Sequence, residues 1–353
     1  MKKDAYDNNK KRHGFLRFLI SFFISIMIIS FTGVFLLYGP FTYFRDTIVT
    51  ISMSTMNHQW IAKCFFDDNT IADVMERNKT IEPDGNTDPN AIEFLKNFVP
   101  DNAKDLPRNP SDGEHIIDGI GFIRIQSATY NGWVVKVYDP TRIYMSLAQG
   151  IGKQGEKTTA MVKQHNAYIG VNAGGFADIG GVGNGGMPTG YCIYNGSIIT
   201  KCHIHTIHNI VGLDNKNKLV LGKYTSDEIT KLKLKDAVEF KPFLIVNGIP
   251  AVMQGNGGMG IDPRTAIGQT KQGVMIFVLI DGRRPTYSLG ASLVDVQNIM
   301  LKYGAYNAAN LDGGASSTLV VNNSIVNNPS SSAGERYVPD AFLINHSANW
   351  KGK

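Results

Sequence analysis

The apolar positions of this chain change rhythm twice. From residue 15 to 38 they run almost unbroken for 24 residues, with Arg17 the one charged side chain among them. A helix of that length reaches roughly 36 Å at about 1.5 Å per residue, enough to cross a hydrocarbon core of about 30 Å with tilt. Between 39 and 114 the apolar residues thin out to a helical spacing: Ile71, Val74 and Met75, then Ile92, Leu95, Phe98 and Val99. Turn-rich stretches at 82–86 and 106–113 interrupt them, so residues 39–114 read as a membrane-proximal stalk or linker with short helices. From residue 116 the rhythm becomes that of short strands, at 123–126, 133–138, 143–147, 168–172, 191–194, 219–221, 243–246, 274–280 and 319–321. Thr225 with Glu228 and Ser292 with Asp295 have the spacing of helix-opening capping boxes. The second box opens a helix with Leu293, Val296, Met300 and Tyr303 on one face, stopped by Gly304. The pattern predicts a mixed α/β (α+β) fold: a strand-rich domain with short helices over residues 115–346 and a tail at 347–353, preceded by one N-terminal membrane helix.

Charge sets the orientation of that helix. Lys2, Lys3, Lys10, Lys11, Arg12 and Arg17 against Asp4 and Asp7 give the flank a net +4. A basic flank stays cytoplasmic, so residues 1–14 are read as a cytoplasmic tail, 15–38 as the anchor, and everything beyond as extracellular, at the plasma membrane in a single pass. A cleaved signal peptide is the rival reading. The apolar stretch is long for one, and no Ala-x-Ala-like site follows it. With the chain at +5 overall, the exported part carries only +1, which excludes a basic nucleic-acid footprint. The expected partners are the bilayer and a glycan or sugar-phosphate polymer, not nucleic acid.

The densest chemistry lies in residues 310–318, Asn-Leu-Asp-Gly-Gly-Ala-Ser-Ser-Thr. It sets the carboxylate of Asp312 beside the flexible turn Gly313-Gly314 and the hydroxyls of Ser316, Ser317 and Thr318, directly before the apolar run 319–321. Paired glycines let a ligand approach main-chain N–H groups closely. Alone, this is also the pattern of a plain Asp-Gly turn. It has company: Asn172-Ala173-Gly174-Gly175-Phe176, residues 183–190, Arg264 to Gly268, Asp281-Gly282-Arg283-Arg284 after the run 274–280, and Arg336 to Leu343.

In this order the set resembles the phosphodiester glycosidase family, over roughly residues 115–345. Two departures stand out: Ala315 occupies a place where the family often has a third glycine, and Asn172 to Phe176 differs from the usual Asn-Gly-Gly-Phe-Phe. The resemblance implies a hydrolase that cleaves a sugar-1-phosphodiester, here in a cell-surface polysaccharide or glycopolymer. A phosphate monoester leaves far more readily than an alcohol, so such a site needs donors for the departing phosphate more than a strong general acid. Arginine's planar, permanently charged fork suits that task. Arg264, Arg283 and Arg336 are the candidate phosphate ligands, with Arg284 beside them. Backbone N–H groups at Gly174-Gly175 and Gly313-Gly314 are candidates for a nest, and Asn172 for a sugar hydroxyl or the phosphate. An oxocarbenium-like transition state wants a carboxylate near C1. Asp312 and Asp281, each following an apolar run, are the candidates, with Asp178, Asp262, Glu335 and Asp340 in reserve. The rival class is a membrane-anchored glycan-binding or exopolysaccharide-assembly factor that keeps the fold without turnover.

Cysteine and histidine change the picture little. Cys192 and Cys202 flank a short hairpin and could bridge, leaving Cys64 alone. His203, His205 and His208 lie on a strand-like run with no accompanying zinc-ligand set. No cofactor is required by this reading; Ca2+ is the cation that the oxygen-rich residues 178–184 could hold.

Overall fold

The computed structural model describes residues 2–55, 58–95, 103, 105–178, 183–201 and 206–348, with side chains from residue 15 onward. The fold is mixed α+β and strand-rich, with one long apolar helix at its N-terminus. That helix, α1 (Lys2–Tyr38), contains the span Phe15–Tyr38, long and apolar enough to cross a membrane and not buried against the rest of the protein.

Three antiparallel sheets build the domain. The largest has eight strands, in the order Ile249–Pro250, Phe243–Val246, Ala305–Leu311, Arg264–Thr270, Met275–Ile280, Asn131–Val137, Ile120–Gln126, Glu114–Ile117. A five-stranded sheet runs Ser324–Ile325, Leu319–Val321, Ile169–Asn172, Asp340–Ile344, Ile143–Leu147. A second five-stranded sheet runs Leu219–Tyr224, His208–Leu213, Asp236–Glu239, Cys192–Tyr194, Ser197–Thr200.

The strand Met275–Ile280 shows why the large sheet sits centrally. All six of its residues are apolar and buried, because both faces are covered. Met275, Phe277 and Leu279 face the core shared by the three sheets, whereas Ile276, Val278 and Ile280 face α7 (Leu293–Lys302). Alternation along a strand makes that division, and it recurs on Arg264–Thr270, where Ile267 joins the inter-sheet core and Ala266 the α7 side. Helix α7 opens with the expected capping box, Ser292 Oγ accepting from Asp295 N at 3.2 Å and Asp295 Oδ2 accepting from Ser292 N at 2.9 Å. The Thr225–Glu228 box likewise opens Ser226–Leu232.

Residues 39–95 contact the domain extensively. Helices α2 (Thr42–Met53), α3 (Gln59–Phe65) and α4 (Asp68–Arg77) pack together around Val49, Ala62, Phe66, Ile71 and Val74. After α4, Thr80–Ile81 pairs with Val252–Met253. Glu82 accepts from the N–H of Phe243 at 2.8 Å and from the amide of Asn209, and Thr87 N donates to Leu221 O at 2.8 Å. The segment expected as a stalk therefore lies along two of the sheets rather than standing off them. The helical spacing of Ile92 and Leu95 is misleading: residues 92–95 form no helix, and Glu93 N and Leu95 N donate to Lys271 O and Gln272 O. Phe98 and Val99 lie outside the described residues.

The inter-sheet core is held by aromatic contacts such as Phe277 against Phe342, fully buried side chains from two sheets with ring centroids 6.0 Å apart. We expect Phe277→Ala to lower the unfolding free energy by about 3–5 kcal/mol, the usual cost of an unfilled aromatic cavity. A denaturant titration with an unchanged slope and a lowered midpoint is the expected result; an unchanged midpoint would show that the sheets do not meet through this ring.

Candidate active site

The site grows from the place where the strands Ala305–Leu311 and Ile169–Asn172 end side by side. Asn172 is fully buried there. Its Nδ2 donates to Asp312 O at 2.7 Å, while its Oδ1 accepts from Thr318 N at 3.0 Å and lies 3.1 Å from Thr265 Oγ1. The N–H of Asp312 donates in turn to Ala173 O at 3.0 Å. One amide thus ties the two sheets to the Gly-Gly turn, and both main-chain polar groups of Asp312 are fixed. Asn172 spends its hydrogen bonds on the protein itself, so it is placed as a positioning residue and not against a ligand. Thr265, which sequence reading passed over, completes the link through Ser317 Oγ, also at 3.1 Å.

The Asp312 carboxyl bonds to the hydroxyl of Ser316, itself buried. As a residue Asp312 keeps some exposed surface, yet its carboxyl is deeply surrounded by protein, and the carboxyl's surroundings govern its titration. Burial raises its pKa to about 6, against the Ser316 hydrogen bond and the positive charge of Arg336, which lower it. Asp262 pushes it further up and Arg283 pulls it down.

Asp340, which sequence reading held only in reserve, is the second carboxyl of the site. It is fully buried, accepts from Gly174 N at 2.6 Å through Oδ1, and has Cys192 Sγ 3.8 Å from Oδ2. Burial, opposed by the Gly174 hydrogen bond and reinforced by the charge of Asp312, raises its pKa to about 7. Gly174 is required by this contact, because a Cβ there would stand 3.0 Å from Asp340 Oδ1 and from Val238. Its N–H is therefore bound to Asp340, and Gly175 is packed equally tightly against Phe240 and Thr189.

Two arginines act on the Asp312 carboxyl. Arg283 makes a two-pronged ion pair with Asp262, Nε–Oδ1 at 2.6 Å and Nη2–Oδ2 at 2.9 Å. Gly314, at φ +58°, lets the turn pass close by: a Cβ there would lie 3.1 Å from Arg283 Nη2. Gly313 is pressed against Pro263 O. Arg336 stacks on the Phe176 ring, 4.8 Å from its centroid, and its Nη2 lies 3.1 Å from Asp178 Oδ2. The other Asp178 oxygen accepts from Gly183 N at 2.6 Å; residues 179–182 lie outside the described residues.

Arg264 and Asp281 are placed differently from the sequence expectation. Arg264 is buried on the α7 side of its strand, because it alternates with Thr265, and its guanidinium donates to the carbonyls of Met259, Gly260 and Ala291 at 2.7–3.0 Å. It clamps a loop instead of facing the Asp312 pocket. Asp281 is buried with its oxygens engaged by Tyr287 OH at 3.0 Å, Asn328 N at 2.8 Å and Asn327 Nδ2 at 3.1 Å, which fixes two loops together. Arg284 donates to Pro329 O, and Glu335 accepts from Thr159 N at the start of the helix Thr158–Gln164. His208 is buried with Nδ1 3.1 Å from Glu239 Oε2; His203, His205 and Cys202 lie outside the described residues, and with them the Cys192–Cys202 pairing that the sequence leaves open. Among the described residues, no three His, Cys, Asp or Glu side chains group as metal ligands.

Raised carboxyls leave a stability signature. A carboxyl whose folded pKa exceeds its unfolded value of about 3.9 contributes stability below that value and loses it as pH rises through the folded pKa. For Asp340 that window runs from about pH 4 to about 7. Asp340→Asn, which stays neutral, should therefore gain stability relative to the parent as pH rises across the window, by up to a few kcal/mol. Denaturation midpoints of both proteins at pH 4, 5.5 and 7 check this, and a difference that stays constant with pH would refute it.

A family model described as phosphodiester glycosidase matches residues 165–345, which include Asn172, Asp312, Arg336 and Asp340. The SPβ prophage-derived uncharacterized protein YomE of Bacillus subtilis (strain 168) is 27% identical over 218 residues, covering 60% of this chain and 32% of that protein. The N-acetylglucosamine-1-phosphodiester alpha-N-acetylglucosaminidase of Homo sapiens is 39% identical over 70 residues, 20% of this chain and 13% of that enzyme. The Mus musculus enzyme of that name is 24% identical over 256 residues, 64% of this chain and 46% of the enzyme. The chain thus spans less than half the length of each of these relatives. The catalytic domain of the zebrafish enzyme, auto-inhibited by its pro-peptide, shares the fold with a TM-score of 0.52 at 21% identity, over 65% of this chain and 82% of that one. With the matched residues covering the strands, the turn and both carboxyls of the site, the chain belongs to the phosphodiester glycosidase family.

Proposed function

We propose that this protein is a membrane-anchored, extracytoplasmic hydrolase that cleaves the C1–O bond of a sugar-1-phosphodiester in a cell-surface polysaccharide or glycopolymer. The observation that carries the reading is the buried Asp312 carboxyl with the charges of Arg336 and Arg283 acting on it and Asp340 behind it. The names of the mammalian relatives, enzymes acting on an N-acetylglucosamine-1-phosphodiester, support the substrate class. The basic flank before α1 supports a cytoplasmic N-terminus with residues 39–353 outside.

The chemistry follows from the charges. Arg336 and Arg283 favour the charged form of Asp312, whereas Asp340 faces the charge of Asp312, so we assign Asp312 as the charged member. Asp312 then faces C1, where positive charge develops as the bond to phosphate breaks. Arg336 and Arg283 offer cationic forks to the departing phosphate, and each is already oriented by a carboxylate, Asp178 or Asp262. Asn172, Thr265, Gly174 and Asp281 hold this arrangement without touching substrate.

Asp312→Asn should lower turnover by about a thousandfold or more, the scale at which a catalytic carboxylate acts, with little change in melting temperature at pH 4, where the linkage gain is small and the Asn172 contact is to the main chain. Arg336→Met should cost most with weakly acidic leaving groups and least with an activated aryl phosphate. Hydrolysis in oxygen-18 water decides the bond: label is expected in the sugar. Label in the phosphate would mean attack at phosphorus and overturn the glycosidase reading.

A further inference from the structure

The aromatic side chains of the described residues are distributed unevenly over the protein surface. Directly after the apolar span, Tyr38, Phe41, Tyr43, Phe44, Trp60 and Phe65 are exposed, Tyr43 at 62% and Trp60 at 61%. Beyond them, the exposed aromatics of the described residues are Tyr287 and Tyr337. The cluster is not explained by loose folding. The helices that carry it close their own small core of Val49, Ala62, Phe66, Ile71 and Val74, against which Leu37 of α1 also packs. On α3, Ala62 and Phe66 point into that core, while Trp60, Lys63 and Cys64 share the opposite, exposed stripe at i, i+3 and i+4.

We infer that α2 and α3 form a collar that lies in the headgroup region of the bilayer, with their exposed aromatic rings at the membrane–water boundary. Two observations select a lipid surface over another occupant. The collar is continuous with the span, since Leu37 at the end of α1 packs into the core of the collar itself. Its composition is that of an interfacial belt, Tyr and Trp with amphipathic rings beside Phe, and the long stem of exposed Lys63 can reach phosphate groups. A patch of this kind left in water would be an aggregation liability.

The collar is also fastened to the catalytic domain, which gives the docking a consequence. Asn256 Nδ2 donates to Thr50 of α2 at 2.9 Å, and Asn256 N donates to Asn78 Oδ1 at 3.2 Å, while the Asn78 amide itself donates to Asp46 of α2. A bilayer contact through α2 and α3 would therefore hold the domain at a fixed height and tilt, instead of letting it swing on a tether. Its substrate would be polymer close to the membrane surface.

This inference rests on α1 being a membrane anchor, and the experiment separates the two. The full-length protein is placed in lipid nanodiscs, carrying one nitroxide label at a time. Exposed Cys64 is labelled in a Cys202→Ser background, and Ile26→Cys and Lys216→Cys are labelled with Cys64 also replaced by serine; Cys192 is buried and its thiol is held protonated by burial. The ratio of collision rates with oxygen and with a nickel chelate reports depth in the bilayer. We expect Ile26 deep, Lys216 aqueous, and Cys64 several-fold more oxygen-biased than Lys216. Ile26 deep with Cys64 as aqueous as Lys216 would overturn the collar and leave the anchor standing. Low accessibility of Cys64 to both reagents would mean protein covers the face and would overturn it as well. An aqueous Ile26 would sink the anchor and the collar together.

Discussion

A single buried amide fixes the geometry of the candidate site. Asn172 stands at the end of a strand in one sheet, contacts Thr265 in another, and holds the carbonyl of Asp312 and the N–H of Thr318 in the turn between them. Each of those main-chain groups would cost about 1–3 kcal/mol if left buried and unpaired, so the turn has little freedom to move away. The direction of the Asp312 carboxyl, its reach to Ser316 and the approach of Gly314 to Arg283 all follow from that anchoring. An asparagine is required because the position needs a donor and an acceptor side by side, which neither aspartate nor leucine offers.

The electrostatics around Asp312 balance opposing effects of similar size. Full burial can raise a carboxyl pKa by several units, and a nearby arginine can lower it by one to three. Burial wins here, and the reason is visible in the ion pairs. Arg283 already shares its charge with Asp262 and Arg336 with Asp178, so neither acts on Asp312 as a bare cation. The same pairing keeps both guanidinium groups oriented and leaves them partly exposed, the side chains at 39% and 26%. Their remaining donor capacity is then directed outward, where an anionic group could compete for them.

Much of this was legible in the sequence, and the failures have physical causes. The Asp-Gly-Gly turn, the paired glycines after Asn172, the capping boxes and the apolar run 274–280 all appear in the structure where their local chemistry predicts. Arg264 was misread because motif membership says nothing about side-chain direction; strand alternation puts Thr265, not Arg264, towards Asn172. Asp281 looked chemical because it follows an apolar run, but the partners that absorb its charge, Asn327 and Asn328, are far along the chain. The surroundings of Asp340 are hidden for the same reason, since Gly174 and Cys192 become its neighbours only when the strands pair. Residues 82–88 looked like a linker because their acceptors and donors bond to Asn209, Leu221 and Phe243, beyond the range of any periodicity.

One loop connects α2 and the end of α4 to the candidate site. Residues 254–262 meet Asn78 and Thr50 through Asn256, and at Gly260, where φ is +59°, a Cβ would stand only 2.3 Å from Ile51 of α2. The next contacts of the same loop are the carbonyls of Met259 and Gly260 on Arg264, and then Asp262 on Arg283 beside Gly314. Arg264 is buried, and burial disfavours its charged form, so the guanidinium depends on those carbonyls and on Asp262 for compensation. Moving the loop away would strand a buried cation, a change that typically costs several kcal/mol. The loop therefore acts as a bracket that ties α2 to Arg283, the arginine that flanks Asp312.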